Sequence, residues 1–145
     1  MMFEHKSGSN KFLAFVFLFV SLILIDQGFK QLASNVFFNQ NFAFSLPLPT
    51  WLMYIIYTVI LVWLIYYLGK NFYKISLGSK LAFTLILAGA FSNVSERLIL
   101  GGVRDFIFIS LAGLTGVYNL ADGYIILGVG LLLCYGLTTK DQNLQ

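Results

Sequence analysis

The chain is poor in the residues that many hydrolases and metal sites use. Its 145 residues include one cysteine, Cys134, and one histidine, His5. A single cysteine cannot form an internal disulfide or a cysteine-based zinc site. A single histidine in a polar N-terminal segment cannot activate a serine buried elsewhere, which excludes a serine–histidine hydrolase. The sequence also lacks an HExxH zinc motif and a glycine-rich phosphate loop.

Charged residues are scarce as well. They make up 10% of the chain, against about 25% in a soluble domain, while hydrophobic residues make up 59% and the mean hydropathy is +0.83. A compact chain of this length cannot hide so much apolar surface from water, because small domains bury a lower fraction of what they expose. We therefore expect an integral membrane protein. The composition excludes a soluble enzyme, a disordered tail and a nucleic-acid binder.

The apolar runs predict a single, all-α membrane domain over residues 1–145 with four transmembrane helices. A helix needs about 20 apolar residues to cross a bilayer. The predicted spans lie at about 12–28, 51–69, 81–100 and 117–137. A signal peptide is the alternative for the first run. We favour a retained span, because no small-residue cleavage site follows and the sequence continues in helical register.

Two connecting segments, 31–50 and 101–116, are predicted to form a small extracytoplasmic, β-like lid. In the first, apolar residues 36–38 and 42–44 flank the polar residues 39–41, which favours a small hairpin or an irregular loop. The second is apolar but contains charged residues and glycine, which predicts a loop or a short surface helix.

The lysine residues are distributed unequally between the two sides of the membrane. Four spans place both termini on the same side. Six lysines fall there: Lys6, Lys11, Lys70, Lys74, Lys80 and Lys140. Lys30 and Arg104 fall on the other side, and Arg97 lies at the edge of the third span. Because positive charge favours the cytoplasmic side, we expect both termini in the cytoplasm.

The acidic residues between the two polar tails all fall near the predicted outer face. They are Asp26, Glu96, Asp105 and Asp122. An ionisable residue inside a membrane costs about 2.5–3.5 kcal/mol on insertion scales and indicates function unless it reaches the headgroups. We interpret Glu96 and Arg104 as interfacial residues that reach the headgroups. Asp105 and Asp122 lie in apolar surroundings with polar neighbours, which favours a functional role.

Three pairs of polar residues have a spacing that places both members on one helix face. The pairs are Asp26 with Lys30, Asn93 with Arg97, and Asn119 with Asp122. A metal-dependent phosphotransferase would need several aspartates at helical spacing, and the sequence has no such cluster. Two aspartates near one site favour aspartyl hydrolysis, because two nearby carboxyl groups cannot both ionise easily and one keeps a proton. The ionised group takes a proton from water, and the protonated group polarises the scissile carbonyl.

Four segments resemble, in order and spacing, the lipoprotein signal peptidases (signal peptidase II). They are DQGFK at 26–30, NQNFAF at 39–44, AGAFSNVSERLILGGVRDF at 88–106 and YNLAD at 118–122. The resemblance extends from Asp26 to about Leu133 and implies a four-span aspartyl protease of the bacterial inner membrane. It places the catalytic pair at Asp105 and Asp122. It implies substrate-binding or orienting roles for Asp26, Lys30, Asn39, Asn93, Arg97, Asn119 and Ala121.

Five positions depart from the family pattern. The family usually has glycine at Asn41, Ala88 and Ser92, aspartate at Glu96 and phenylalanine at Tyr118. Asparagine tolerates a left-handed backbone, and alanine and serine are small enough to preserve close helix packing. The longer side chain of Glu96 changes the local ion-pair geometry.

The resemblance implies an endopeptidase that removes the signal peptide from prolipoproteins by cutting before the diacylglyceryl-cysteine. The site is expected at the outer face of the bacterial cytoplasmic (inner) membrane. Expected partners are these precursors and membrane lipids, with no metal, no organic cofactor, no nucleic acid and a monomeric state. Two alternatives stay open: an inactive homologue that binds lipidated peptides, and a small proton-coupled transporter subunit.

Overall fold

Four helices and two short antiparallel strand pairs make up the computed structural model, which describes residues 2–41, 47–111 and 114–138. The helices are α1 (Met2–Leu32), α2 (Thr50–Asn71), α3 (Leu77–Leu100) and α4 (Leu120–Thr138). The strands are β1 (Phe37–Asn39), β2 (Val103–Asp105), β3 (Ile107–Leu111) and β4 (Leu114–Tyr118).

The apolar helices confirm the predicted helical membrane fold. Three of them are long and apolar enough to cross a bilayer, over Asn10–Leu32, Thr50–Asn71 and Leu77–Leu100, and the fourth is apolar over Leu120–Tyr135. The first helix continues past the predicted end at residue 28, because its charged residues near that end are paired inside the bundle. The third begins before the predicted start at residue 81, because the Ser76 hydroxyl caps it by accepting a hydrogen bond from the Ser79 amide.

Helix α3 lies at the centre of the bundle. Within the apolar stretch of each helix, 56% of residues are buried in α3, against 6% in α1 and 11% in α2. Helix α4 packs along α3 at very short range. A Cβ atom at Gly89 would lie 2.3 Å from the carbonyl oxygen of Ala121, so a larger residue at Gly89 would push the start of α4 away. Such small-residue contacts are typical of membrane helix pairs.

The strands over the described residues of 101–116 confirm the predicted β-like structure of this segment, whereas the expectation of a loop or a short surface helix there is wrong. Strand β2 pairs antiparallel with β1, with Phe37 opposite Asp105 and Asn39 opposite Val103. Strand β3 pairs antiparallel with β4. The β-branched and aromatic residues here suit strand pairing. The part of the predicted hairpin at 42–44 lies outside the described residues.

The two ends of this strand segment set the positions of the helices beside it. Gly101 ends α3 in a left-handed conformation with a φ of 79°, and its amide donates to the carbonyl of Arg97 at 2.9 Å. Val117 and Tyr118 pair with Phe108 and Ile107 in the strands. Helix α4 therefore begins at Leu120 and not at the predicted residue 117.

Candidate active site

Asp105 lies at the end of β2 and is almost fully buried, with 2% of its surface exposed. Its Oδ1 accepts a hydrogen bond from Nδ2 of Asn119 at 2.6 Å, and its Oδ2 accepts one from Nδ2 of Asn39 at 3.0 Å. Asn39 reaches Asp105 because the β1–β2 register makes these two residues diagonal neighbours on one sheet face. The strands thus hold both oxygens of a buried carboxyl group.

Asp122 lies in the first turn of α4 and is half-buried. Its amide donates to Oδ1 of Asn119 at 3.0 Å, and the amide of Asn119 donates to Oδ2 of Asp122 at 3.2 Å. This reciprocal pair is a capping box, in which Asn119 precedes the helix and caps it. The two residues are therefore partners, as their spacing predicts, although Asn119 lies outside the helix. Oδ1 of Asp122 also accepts from Nδ2 of Asn93 at 2.8 Å.

Three asparagine side chains present their amide groups to the two aspartates. In each of them the carbonyl oxygen is already held by a group that can only donate. These donors are the backbone amide of Asn41 for Asn39, the Lys30 ammonium for Asn93, and the backbone amide of Asp122 for Asn119. Each side chain is thereby fixed in one orientation, with its NH2 group toward a carboxyl oxygen.

Asp26 connects α1 to α3 and to the start of α4. It is fully buried and forms the predicted ion pair with Lys30, at 2.8 Å. Its Oδ2 accepts from the Ser92 hydroxyl at 2.6 Å, and its Oδ1 accepts from the backbone amide of Ala121 at 2.9 Å. A carboxylate at the first turn of a helix satisfies a free amide and stabilises the helix dipole. Asp26 therefore anchors the helix that carries Asp122.

Lys30 is also buried, with 1% of its surface exposed. Its ammonium lies 2.8 Å from a carboxylate oxygen of Asp26, 2.8 Å from one of Glu96, and 2.8 Å from Oδ1 of Asn93. The lysine thus acts on Asp122 through Asn93, whose amide it orients.

The interpretation of Glu96 and Arg104 as headgroup residues is wrong. Glu96 is 3% exposed and forms ion pairs with both Lys30 and Arg104. The Arg104 side chain is 24% exposed and also donates to Gln27 at 3.4 Å. Glu96 is buried because α1, α3 and β2 meet at this point. Lys30 of α1 and Arg104 of β2 both pair with its carboxylate. Such pairing offsets the cost of removing the charges from water.

Arg97 is buried beside the two aspartates, with 5% of its surface exposed. Its Nη2 donates to the carbonyl of Asn41 at 3.0 Å, and its Nη1 donates to the carbonyl of Asn93 at 3.5 Å. Its guanidinium carbon lies 5.4 Å from the centre of the Tyr57 ring, a cation–π contact. Tyr54 donates to the carbonyl of Arg97 at 3.0 Å.

Sequence reasoning missed several of these supporting residues. They are Gln27, Ser92, Tyr54 and Tyr57. The tyrosines lie three residues apart on one face of α2, and that spacing in an uncharged span is the signal that could have found them. Ser92 and Gln27 carried no comparable signal. The hydroxyl of Ser92, at a position where the family usually has glycine, is used here to hold Asp26.

A cavity of about 200 Å³ opens beside the two aspartates. Its polar wall includes Asp105, Asp122, Asn39, Asn119 and Arg97. Its apolar wall includes Val117, Ile125 and Ile126. Such a combination of convergent polar groups with an apolar lining is typical of ligand sites. The strands and α4 therefore bring both predicted catalytic residues to one cavity.

Burial raises the pKa of Asp105 above the ordinary value, and the nearby Asp122 carboxylate raises it further. The hydrogen bonds from Asn39 and Asn119 and the charge of Lys30 oppose this rise. A carboxyl group with a raised pKa retains a proton more readily. Among the described residues, no group of three or more histidine, cysteine or acidic side chains has an arrangement that could hold a metal ion.

Comparisons with known proteins agree on one family. A family model described as signal peptidase (SPase) II matches residues 18–138. A lipoprotein signal peptidase from Chlamydia muridarum is 37% identical over 108 residues, which is 73% of this chain and 65% of that protein. One from Fusobacterium nucleatum is 32% identical over 139 residues, covering 82% of this chain and 83% of the relative. The chain thus spans just under two thirds of the chlamydial relative.

Solved structures of bacterial membrane enzymes share the fold. A structure described as a bacterial membrane enzyme matches with a TM-score of 0.75 and 25% sequence identity, and the match covers 89% of this chain and 90% of that one. A second structure with the same description matches with a TM-score of 0.73.

Proposed function

This chain belongs to the signal peptidase II family, and we propose that it is a membrane aspartyl endopeptidase that removes the signal peptide from lipid-modified prolipoproteins. The observation that carries the proposal is the position of Asp105 and Asp122. One residue, Asn119, bonds to both, and both line the same cavity.

Charge balance supports a pair of aspartates that shares one proton. Among the described side chains, this end of the bundle holds four carboxyl groups, those of Asp26, Glu96, Asp105 and Asp122. It holds three cations, those of Lys30, Arg97 and Arg104. A net charge is costly in a buried, low-dielectric site. Three ionised carboxyl groups would balance the three cations, which leaves one proton on the fourth.

The difference in burial favours a division of roles within the pair. Asp105 is nearly fully buried and Asp122 is half-buried at the cavity, so we assign the ionised role in the resting pair to Asp122 and the protonated role to Asp105. The proton still belongs to the pair in any titration, because the two groups are coupled.

The proposed reaction uses both aspartates and one water molecule. Ionised Asp122 takes a proton from water as the water oxygen attacks the scissile carbonyl carbon, and protonated Asp105 donates a hydrogen bond to the carbonyl oxygen. The tetrahedral intermediate then collapses. Its carbon–nitrogen bond breaks, and the proton that Asp122 holds passes to the leaving nitrogen. The asparagines keep both carboxyl groups in position for these steps.

The apolar wall of the cavity supports a lipidated substrate. Ile125 and Ile126 lie one turn beyond Asp122 on an apolar helix, and Ile126 is exposed. We propose that the diacylglyceryl chains of the precursor stay in the bilayer beside this wall while the peptide bond before the modified cysteine enters the cavity. The site would then lie at the outer face of the bacterial cytoplasmic membrane, with both termini in the cytoplasm.

Purified protein and a diacylglyceryl-modified precursor peptide test this proposal, with the unmodified peptide as the comparison. We expect the wild type to cleave only the modified peptide. Asp105→Asn and Asp122→Asn should each lower turnover at least about a thousandfold and still bind the precursor. Asp141→Asn, in the polar C-terminal tail, is the matched control and should cleave normally.

Each alternative gives a different result in the same assay. Binding of the modified peptide by the wild type without cleavage would identify an inactive homologue. Proton flux into vesicles, with neither binding nor cleavage, would identify a transporter subunit. Turnover near the wild-type rate by either aspartate variant would contradict the aspartyl mechanism.

A further inference from the structure

Glu96 contacts two residues, Lys30 and Arg104, each of which helps to position one of the two aspartates. Its carboxylate is almost fully buried and pairs with two cations from different elements, Lys30 of α1 and Arg104 of β2. Because the surface interpretation of Glu96 is wrong, the role of this buried charge needs an explanation.

One side of the Glu96 carboxylate leads to Asp122. Its Oε2 lies 2.8 Å from the ammonium of Lys30, which in turn holds the carbonyl oxygen of Asn93. The amide of Asn93 then donates to Oδ1 of Asp122 at 2.8 Å. The carboxylates of Asp26 and Glu96 hold the ammonium in place by charge, and the ammonium orients the Asn93 side chain, so a shift of Lys30 would turn the Asn93 amide away from Asp122.

The other side of the same carboxylate leads to Asp105. Its Oε1 accepts a hydrogen bond from Nε of Arg104, which directly precedes Asp105 in β2. Arg104 lies opposite Phe38 in the β1–β2 pair, next to the strand position of Asn39. A bond between α3 and Arg104 therefore fixes the strand pair that places Asp105 and Asn39 together.

We propose that Glu96 is a positioning residue for both aspartates, and that its negative charge keeps the site balanced while one proton stays on the pair. This inference rests on the proposed function. It assigns Glu96 no contact with substrate or water, because every Glu96 contact described above is with Lys30 or Arg104.

The charge part of the proposal depends on every charged or titratable group around the pair. Those groups are Asp26 and Lys30 of α1, Tyr54 and Tyr57 of α2, Glu96 and Arg97 of α3, Arg104 and Asp105 of β2, Tyr118 of β4, and Asp122 of α4. Removing the negative charge of Glu96 leaves an excess positive charge, which favours release of the shared proton. Removing the positive charge of Arg104 has the opposite effect.

The test is therefore a set of pH profiles of kcat and kcat/KM for three variants. Glu96→Gln should lower kcat about 10- to 100-fold with little change in KM, because the aspartates lose their alignment. Its bell-shaped profile should move to lower pH, by about half a unit or more. Arg104→Gln should move the profile to higher pH. The double variant should return it close to the wild-type position.

Two controls separate this role from a general loss of structure. Glu96→Asp keeps the negative charge, and aspartate is the residue that the family usually has here. Its kcat should fall less than that of Glu96→Gln, and its pH profile should stay in place. Lys74→Gln removes an exposed charge from the α2–α3 connection and should change neither quantity. If Glu96→Gln does not fold, Arg104→Gln and Glu96→Asp decide the matter alone.

An infrared titration of the protonated carboxyl band gives a readout that does not need activity. The wild-type band that Asp105→Asn removes should titrate at lower pH in Glu96→Gln and at higher pH in Arg104→Gln. Unmoved titrations and unmoved pH profiles in both variants would overturn the role of Glu96, even if the wild type is an active protease. If the wild type cleaves nothing, the proposed function fails, and the infrared titration still decides the role of Glu96.

Discussion

The side-chain amide of Asn119 donates a 2.6 Å hydrogen bond to Oδ1 of Asp105. The carbonyl oxygen of the same side chain caps the helix that carries Asp122 by accepting from that residue's amide at 3.0 Å. A helix cap thus serves as the link between two carboxyl groups that come from a strand and a helix. The backbone amide of Asn119 also donates to Oδ2 of Asp122 at 3.2 Å, so this one residue contacts both carboxyl groups.

Two substitutions at Asn119 should separate its role as a helix cap from its hydrogen bond to Asp105. Asn119→Ala removes both, so we expect a loss of about 1 kcal/mol in stability and a fall of about 10- to 100-fold in kcat. Asn119→Ser keeps a capping hydroxyl but is too short to reach Asp105, so stability should stay near the wild type while kcat falls. Thermal unfolding in detergent and cleavage rates measure the two effects. Full activity in Asn119→Ser would show that the link to Asp105 is dispensable.

Contacts within one element could be predicted from the sequence, because helical spacing determines them. The ion pair of Asp26 with Lys30 and the pairing of Asn119 with Asp122 both follow from spacings of three or four residues. The positions of the apolar helices follow from the length of the apolar runs.

Contacts between elements could not be predicted in the same way. Glu96 looked like a headgroup residue because its two cations lie on α1 and β2, and no spacing in the sequence relates them to it. Asn39 contacts Asp105 only through the register of two three-residue strands, which are too short to give an alternating pattern. The resemblance supplied Asn39 as a site residue, and the strand pairing supplies the physical reason.

The pH dependence of stability should report the buried carboxyl group of Asp105. Its pKa in the folded protein is raised above the ordinary value of about 3.9. The folded state therefore binds this proton more tightly than the unfolded state, and stability falls as pH rises from about 4 through the raised folded-state pKa. Asp105→Asn lacks this titration. The unfolding temperature of the variant relative to that of the wild type should therefore increase as pH rises across this window. A difference that is independent of pH would contradict the raised pKa.

The close contact between α3 and α4 gives a prediction with a matched control. Gly89→Ala would place a Cβ atom 2.3 Å from the backbone oxygen of Ala121, so the start of α4 must move. We expect a loss of about 1–3 kcal/mol in stability and a clear loss of cleavage, because Asp122 moves with α4. Gly28→Ala lies in α1, where a new Cβ meets no atom within 4 Å. It should preserve activity and stabilise the helix slightly. Equal effects of the two substitutions would exclude this packing argument.

Arg97 should be needed for the shape of the cavity. Arg97→Ala removes the guanidinium that donates to the carbonyl of Asn41 and contacts the Tyr57 ring, and it leaves a gap in the cavity wall. We expect membrane insertion to continue and cleavage to fall strongly. Arg97→Lys keeps the charge but cannot bridge both carbonyl groups, so it should recover only part of the activity. Wild-type turnover in Arg97→Ala would reduce this residue to a packing role.

The distribution of lysines predicts the orientation in the membrane, which would decide on which side the proposed reaction takes place. Six lysines on the side of the two termini favour the cytoplasm for that side. Single cysteines at Gln40 and Tyr73, both exposed, test this in a background in which the native Cys134 is replaced by serine. A reagent that cannot cross the membrane should label position 40 in intact cells and position 73 only after the cells are opened. The β1–β2 pair places position 40 next to the strand that ends at Asp105, so labelling there from outside also places the aspartates at the outer face. Labelling of position 73 in intact cells would show the opposite orientation. The aspartates would then lie at the cytoplasmic face, where a translocated precursor could not reach them.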